Sequence, residues 1–160
     1  MPRIPLQVLV LPFRRGMDGT IEYAIFRRAD YADDCWQGLA GGAEADESAE
    51  QAARREAMEE AGIAVDAPLI PLDAVASVPA SHFRDRYLWG PNLYVVTERA
   101  FGVRLDHRVA ITLSREHTDY RWVAYAEAAR LLRWDSNRTA LWELNERVTR
   151  RDKVAAASSG

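Results

Sequence analysis

The sequence predicts a single α/β domain built from a mixed β-sheet and two or three helices. Three observations support this fold class. A length of 160 residues suits one domain with one sizeable core. Runs rich in strand-forming residues recur along the chain, beginning with Leu6–Leu11 and Ile21–Phe26. Between the strand-like runs lies a helical segment, Ser48–Gly62, with recognisable signals at both ends.

The first two strands are expected to form a hairpin. Leu6–Leu11 is almost continuously apolar and predicts a buried strand, whereas Ile21–Phe26 alternates more loosely. Gly16–Gly19 supplies the turn between them. The second strand is expected to end at Arg27–Ala29, where a loop with three aspartates begins.

The helical segment that follows has clear ends. Ser48 and Gln51 match the S-x-x-Q capping box, and Gly62 stands where a helix-ending glycine is common. The preceding pair Gly41–Gly42 is interpreted as a glycine-rich turn, whose backbone can approach a ligand closely. Four alanines allow the helix to pack close to a sheet: Ala49, Ala52, Ala53 and Ala57.

The C-terminal half predicts three more strands and two more helices. The strands are expected around Leu72–Val78, Leu93–Thr97 and Tyr120–Tyr125. A short helix is expected at Ala126–Leu132, and Asp135-Ser136 is expected to cap the last helix. The apolar stripe of that last helix comprises Ala140, Leu141, Leu144 and Val148.

Composition narrows the classes of function. A formal net charge of -3 provides no electrostatic footprint for a nucleic acid polymer, although a local basic site for one small phosphate ligand stays compatible. The apolar run Ile4–Phe13 is too short to span a bilayer, so we expect no membrane anchor. Cys35 is the sole cysteine, which suits a cytoplasmic protein. We expect one domain over residues 1–153 and a disordered tail over 154–160, while the oligomeric state is left open.

Three glutamates project from one patch of the predicted helix. On an ideal helix Glu60 lies about 40° from Glu56, and Glu59 lies about 60° to the other side. Like charges at these spacings repel by about 0.2–0.5 kcal/mol per pair. One explanation is a solvated face relieved by neighbouring arginines. The other is a ligand set for a hard divalent cation, which binds carboxylates together with substrate phosphates.

The surrounding pattern resembles the Nudix box, G-x5-E-x7-R-E-U-x-E-E-x-G-U, in which U is a bulky aliphatic residue. The positions in register are Gly41, Glu47, Arg55, Glu56, Glu59, Glu60, Gly62 and Ile63, and Ala57 is smaller than usual at the first U. The resemblance implies an α/β/α sandwich with a mixed β-sheet and a loop–helix–loop catalytic motif. It also implies hydrolysis of nucleoside diphosphates linked to another moiety, with Mg²⁺ or Mn²⁺ as cofactor.

The same resemblance implies roles for the residues of the box. Glu56, Glu59 and Glu60 would hold the metal, and Glu56 is the favoured general base. The Gly41 carbonyl is a further candidate metal ligand. Glu47 and Arg55 would form a structural pair that orients the helix.

Further segments resemble the dihydroneopterin triphosphate pyrophosphohydrolases, also described as dATP pyrophosphohydrolases. These segments are "FRRADYADDCWQGLAGGAE", "REHTDYRW" and "RWDSNRTALWEL". By this likeness Glu116 is a further metal ligand, with Asp119 as the competing carboxylate. The substrate contacts that it implies are Arg3 to the phosphates, Arg27, Asn137 and the backbone at Ala40. Each has a structural alternative, and for Asn137 it is a capping role at a helix start.

The aromatic residues are interpreted separately. Trp122 and Trp142 are expected in the core, whereas Trp36 is a candidate to line a base pocket. Tyr87 and Trp89 either line a ligand pocket or cover the sheet.

Three functions follow from these observations. The favoured one is a Mg²⁺-dependent pyrophosphohydrolase that cleaves a (deoxy)nucleoside or pterin triphosphate to the monophosphate and pyrophosphate. The second is an ADP-ribose-type hydrolase, because Pro79 lies near the position of a proline associated with that activity. The third is a Nudix sensor that binds a nucleotide without turnover, which the intact glutamate set disfavours.

Overall fold

The computed structural model describes residues 2–158, in which seven strands form one mixed sheet. The strands are β1 (Arg3–Arg15), β2 (Ile21–Arg28), β3 (Trp36–Gln37), β4 (Leu39–Glu44), β5 (Leu69–Pro79), β6 (Val95–Leu105) and β7 (His117–Ala124). The helices are α1 (Ala49–Ala61), α2 (Tyr125–Leu131) and α3 (Asp135–Ser158). Two short 3₁₀ segments, Ala80–His82 and Arg84–Trp89, connect β5 to β6.

Strand β1 organises the sheet. It pairs in parallel with β6 along one edge. Along its other edge it pairs antiparallel with β4 in its first half and with β2 in its last residues. Strand β5 extends the sheet beyond β6, while β3 and β7 both pair with β2. Because β4 lies directly beside β1, the segment that precedes α1 is held in the sheet.

Helices cover both faces of the sheet. Successive side chains of a strand point to opposite faces, so Val8 of β1 packs with α1, whereas Leu9 packs with α2 and α3. Small side chains let α1 lie close to the sheet, and four of its alanines are buried: Ala52, Ala53, Ala57 and Ala61. The predicted stripe of α3 is buried on the opposite face. The α/β/α sandwich is therefore confirmed.

Both predicted ends of α1 are confirmed. The Ser48 hydroxyl accepts a hydrogen bond from the Gln51 N–H, and the Gln51 side chain accepts one from the Ser48 N–H. Gly62 ends the helix in the left-handed conformation, with φ of 68°. This conformation costs glycine little because it has no Cβ.

Several local predictions are wrong. Gly41–Gly42 lies inside β4, not in a turn, because both residues pair with β1. The strand expected at Leu93–Thr97 begins at Val95 and continues to Leu105, since parallel pairing with β1 extends through Glu98 and Gly102. Trp142 is 54% exposed and lies outside the core.

The tail also differs from its prediction. Helix α3 continues through residues 154–158, where alanine, the strongest helix former, predominates. The rest of the predicted tail, 159–160, lies outside the described residues. No helix of the described chain is both long and apolar enough to cross a membrane.

Candidate active site

The acidic face of α1 lies against β4 at Gly41. A Cβ added to Gly41 would approach the Glu56 carboxyl group to well under 3.0 Å, closer than real Cβ atoms come to other atoms. Strand and helix approach each other so closely that any side chain larger than glycine would displace the Glu56 carboxyl group. The contact places the Glu56 carboxylate beside the backbone of β4.

Two arginines compensate the buried charge of Glu56, which is only 3% exposed. Its Oε1 accepts a hydrogen bond from Arg3 Nη1 at 2.9 Å and another from Arg55 Nη1 at 2.8 Å. A buried carboxylate without such partners would cost several kcal/mol of stability. Arg3 also donates to the Gly42 carbonyl, so the start of β1 is fixed to the same point.

The predicted pair of Glu47 and Arg55 is present. Arg55 Nε and Nη2 donate to the two carboxylate oxygens of Glu47 at 2.7 and 2.9 Å, and Nη2 also donates to the Gly42 carbonyl at 3.0 Å. These contacts raise the pKa of Arg55 and lower the pKa of Glu47. The pair connects α1 to the loop before it and to β4, which holds the helix in register with the strand.

Glu60 is the least compensated acidic group of the site. It is 2% exposed, its Oε2 accepts from the Ala40 N–H at 3.2 Å, and its Oε1 has no hydrogen-bond partner. Burial, with a smaller contribution from the nearby carboxylates of Glu116 and Glu56, raises the pKa of Glu60 to about 10. With this pKa, Glu60 keeps its proton at neutral pH in the metal-free protein.

The structure thus brings Glu56, Glu60 and Glu116 together, although Glu116 lies just before β7 and far from α1 in sequence. Glu59 lies at the rim, with its side chain 56% exposed and accepting from Arg55 Nη1 at 3.2 Å. Glu59 is separated from the buried Glu56 and Glu60 because it lies on the outer side of α1.

The donor set fits a hard divalent cation. Within residues 2–158, no three acidic, histidine or cysteine side chains already converge as a metal cage. Instead, Arg3 and Arg55 both contact the Glu56 carboxylate, and the raised pKa of Glu60 favours its neutral form. The unpartnered Oε1 of Glu60 beside Glu116 is an oxygen donor of the kind that Mg²⁺ prefers.

Of the residues expected to contact substrate, Ala40 lies beside Glu60, whereas Arg27 lies at the surface. Ala40 donates its N–H to Glu60 from β4. Arg27 is partly exposed and donates to Thr118 at 2.9 Å and to Asp34 at 3.3 Å.

Asn137 is 3% exposed, and its Oδ1 accepts the Gly38 N–H at 2.8 Å. Its Nδ2 donates to the Ser136 hydroxyl at 3.2 Å. Asn137 therefore anchors the start of α3 to the residue that precedes β4. The contact is structural, but it is a tertiary bond to Gly38 and not the helix cap that the sequence offered as the alternative to substrate binding.

A cavity of about 160 Å³ opens beside Arg3 and Gly42. Gln7 and the ring pair Phe83 and Trp89 line it, with the two ring centroids 5.8 Å apart. The indole N–H of Trp89 donates to the Arg3 carbonyl at 2.8 Å, which attaches the 3₁₀ segment to β1. The sequence left Trp89 undecided and gave no signal for Phe83, since the cavity forms only where the loop folds back.

The other two undecided aromatic residues do not line this cavity. Tyr87 is 76% exposed, whereas Trp36 is 3% exposed and belongs to the core beneath α3.

Comparison with known proteins agrees with this geometry. A family model described as the NUDIX domain matches residues 5–143. The chain belongs to the NUDIX family. Like other NUDIX pyrophosphohydrolases, it is a hydrolase acting on phosphoric anhydride bonds. NUDIX hydrolases generally use divalent metal ions such as Mg²⁺.

Among its NUDIX relatives is the dihydroneopterin triphosphate diphosphatase of Escherichia coli (strain K12). The two are 35% identical over 141 residues, which cover 86% of this chain and 89% of that protein. A crystal structure of a NUDIX hydrolase from Listeria monocytogenes matches with a TM-score of 0.81 and 41% identity, over 93% of this chain and 97% of that one. The structure of the E. coli dihydroneopterin triphosphate pyrophosphohydrolase matches with a TM-score of 0.73 and 31% identity, over 91% and 99%. These similarities confirm the Nudix-type fold and the resemblance to that branch.

Proposed function

We propose that this protein is a Mg²⁺-dependent pyrophosphohydrolase that cleaves a (deoxy)nucleoside or pterin triphosphate to the monophosphate and pyrophosphate. The observation that carries the proposal is the similarity to the E. coli dihydroneopterin triphosphate diphosphatase across 86% of this chain. The complete set of box glutamates, with Glu116 beside Glu60, supports turnover over a sensor that only binds its ligand.

The residues proposed to hold Mg²⁺, or Mn²⁺ in its place, are Glu56, Glu59, Glu60, Glu116 and the Gly41 carbonyl. When bound, the cation would neutralise phosphate charge and acidify the attacking water. Glu60 would give up its proton on binding, because the cation supplies the charge compensation that its buried site lacks.

The chain's own groups then have distinct tasks. Glu56 would accept a proton from the attacking water while the oxygen of that water bonds to the α-phosphorus. The bond from that phosphorus to the bridging oxygen breaks, and pyrophosphate leaves with the electron pair. Arg3 would exchange its contact with Glu56 for a phosphate oxygen, since guanidinium groups bind phosphate and carboxylate with similar geometry.

The cavity beside Arg3 supports a position for the rest of the substrate. A heterocyclic ring would lie against Phe83 and Trp89, whose rings provide aromatic surface within reach of Arg3. The backbone of Ala40 would border the phosphates because its N–H already faces Glu60. Arg27 is proposed to contact the substrate from the exposed rim, and Asn137 through its amide at the start of α3.

A second candidate is hydrolysis of an ADP-ribose-type substrate. Pro79 ends β5 and directly precedes the segment that reaches the cavity. Both candidate functions act on a small phosphorylated substrate. A cytoplasmic location stays a prediction.

The test is a turnover screen with purified protein. The substrates are dihydroneopterin triphosphate, dATP, ADP-ribose and a diadenosine polyphosphate, each with Mg²⁺, with Mn²⁺ and with chelator. We expect pyrophosphate to be released from the triphosphates only when the cation is present. Preferential cleavage of ADP-ribose would favour the second candidate, and binding without any product would favour a sensor.

A further inference from the structure

The start of β1, which carries Arg3, is held less regularly by the sheet than the rest of that strand. Pairing with β6 begins only at Leu6, so residues 3–5 are not paired with β6. Pairing with β4 includes Arg3, but β1 advances four residues from Arg3 to Gln7 while β4 moves by only two. Such a bulge leaves residues unpaired and disrupts the local ladder. Pro5 lies inside this bulge and has no N–H to contribute.

Trp89 supplies a contact to Arg3 that β6 does not. The indole N–H of Trp89 donates to the Arg3 carbonyl at 2.8 Å, from the end of a 3₁₀ segment 86 positions along the chain. The ring of Trp89 packs against Phe83, and both rings line the cavity beside Arg3. Trp89 therefore connects the wall of this cavity to the backbone of Arg3.

The Arg3 side chain extends from the same point to the acidic site. Its Nη1 donates to Glu56 Oε1 at 2.9 Å and to the Gly42 carbonyl, while 36% of the side chain is exposed. The guanidinium is therefore accessible to a phosphate that enters the cavity, and it has the geometry to bind one. Because the side chain is attached to the Arg3 backbone, a displacement of that backbone also displaces the guanidinium.

We propose that Trp89 is a positioning residue for phosphate binding and acts through Arg3. The inference rests on the proposed pyrophosphohydrolase activity, in which Arg3 contacts a substrate phosphate. The indole N–H fixes the Arg3 backbone where strand pairing is interrupted, so the guanidinium is in place before the substrate arrives. Preorganisation of this kind raises affinity, because less conformational freedom is lost on binding.

Trp89→Phe removes the indole N–H and keeps an aromatic ring in the cavity. The first measurement is calorimetric titration with inorganic pyrophosphate, a probe that has no ring, in the presence of Mg²⁺. We expect the Kd of the variant to exceed that of the wild type by about 3- to 10-fold, which corresponds to one lost hydrogen bond. With dATP as substrate, KM should rise by a similar factor while kcat stays within about 2-fold, because the contact supports ground state and transition state alike. Unchanged Kd and KM would overturn the inference.

The matched control is Trp134→Phe, which removes an indole hydrogen bond of similar length. Trp134 Nε1 donates to Gln37 Oε1 at 3.0 Å, between the segment before α3 and strand β3. This variant should lower the melting temperature about as much as Trp89→Phe does, while the Kd for pyrophosphate stays within about 2-fold of the wild-type value. Equal weakening of pyrophosphate binding by both variants would indicate a general loosening of the fold and would overturn the positioning role.

A double-mutant cycle tests whether Trp89 acts through Arg3. In an Arg3→Ala background, Trp89→Phe should change the Kd for pyrophosphate by less than about 2-fold, because no guanidinium is left to position. The same 3- to 10-fold loss in both backgrounds would mean that Trp89 acts by another route, against the inference. If Arg3→Ala binds pyrophosphate too weakly to titrate, the comparison of Trp89→Phe with Trp134→Phe decides.

The outcomes distinguish this inference from the proposed function. A wild-type protein that binds pyrophosphate but cleaves no triphosphate overturns the pyrophosphohydrolase activity, and the calorimetry still decides the role of Trp89. A wild-type protein that cleaves triphosphates, with a folded Trp89→Phe variant equal to it in Kd and KM, overturns only the positioning role. A wild-type protein that neither binds pyrophosphate nor cleaves a triphosphate overturns both.

Discussion

Gly41→Ala tests the closest contact in the site. The added Cβ would lie well under 3.0 Å from the Glu56 carboxyl group, whereas ordinary contacts begin at 3.4 Å. The carboxyl group therefore has to move by about 1 Å, and a shift of that size in a catalytic group lowers rates by about 100-fold. Arg3 and Arg55 both donate to Glu56 Oε1, so this shift would strain or break these bonds. We expect kcat for Mg²⁺-dependent pyrophosphate release to fall about 100-fold.

The control is Gly102→Ala, the same chemical change made on the other face of the sheet. There the new Cβ would meet Leu144 Cδ1 at 2.5 Å, inside the core beneath α3. This variant should lose about 1–3 kcal/mol of unfolding free energy through overpacking while the folded fraction keeps its kcat. Steady-state kinetics and urea denaturation on both variants separate the two effects. A Gly41→Ala enzyme with kcat within about 3-fold of wild type would refute the reasoning.

Three other substitutions examine the neighbouring contacts. Glu60→Gln should abolish turnover. In metal-free protein its melting temperature should exceed that of the wild type by an amount that grows between pH 4.5 and about 10, because over this range folded Glu60 keeps a proton that the unfolded chain releases; a pH-independent difference would contradict this. Asn137→Ala should lower the free energy of unfolding by about 1–3 kcal/mol in urea denaturation, since the buried Gly38 N–H loses its acceptor. It should also raise KM more than it lowers kcat. Unchanged stability and KM would exclude both the structural and the substrate-binding role of Asn137. Arg55→Lys should lower the free energy of unfolding by about 1–3 kcal/mol, because an ammonium cannot hold Glu47 at two points and also reach Gly42. A thermal melt identical to that of the wild type would disprove this.

Local signals were sufficient to predict part of the fold. The ends of α1 follow from side chains within a few residues of each cap, so the capping box and Gly62 could be identified without tertiary information. The extent of β6 could not be predicted from local signals, because Glu98 and Gly102 are poor strand residues that are held in the strand by pairing with β1. Pairing with the same strand places Gly41–Gly42 in β4.

The candidate site shows the same division. The spacing of the box predicted that the glutamates share a helix face, although their roles stay predictions. The bond between Arg3 and Glu56 joins residues 53 positions apart, and the sequence proposed Arg3 only through the family resemblance. Phe83 was not predicted at all, since its position at the cavity beside Arg3 depends on how the loop folds back.

In the proposed mechanism, the bond between Arg3 and Glu56 would also couple cation binding at Glu56 to phosphate binding at Arg3. A cation that binds Glu56 weakens the hold of the carboxylate on Arg3, and the released guanidinium is then available to a phosphate. By thermodynamic reciprocity, a phosphate that binds Arg3 must raise the affinity for the cation by the same factor. In the proposed mechanism, the Mg²⁺ affinity of the free protein would therefore be lower than that of the complex with substrate.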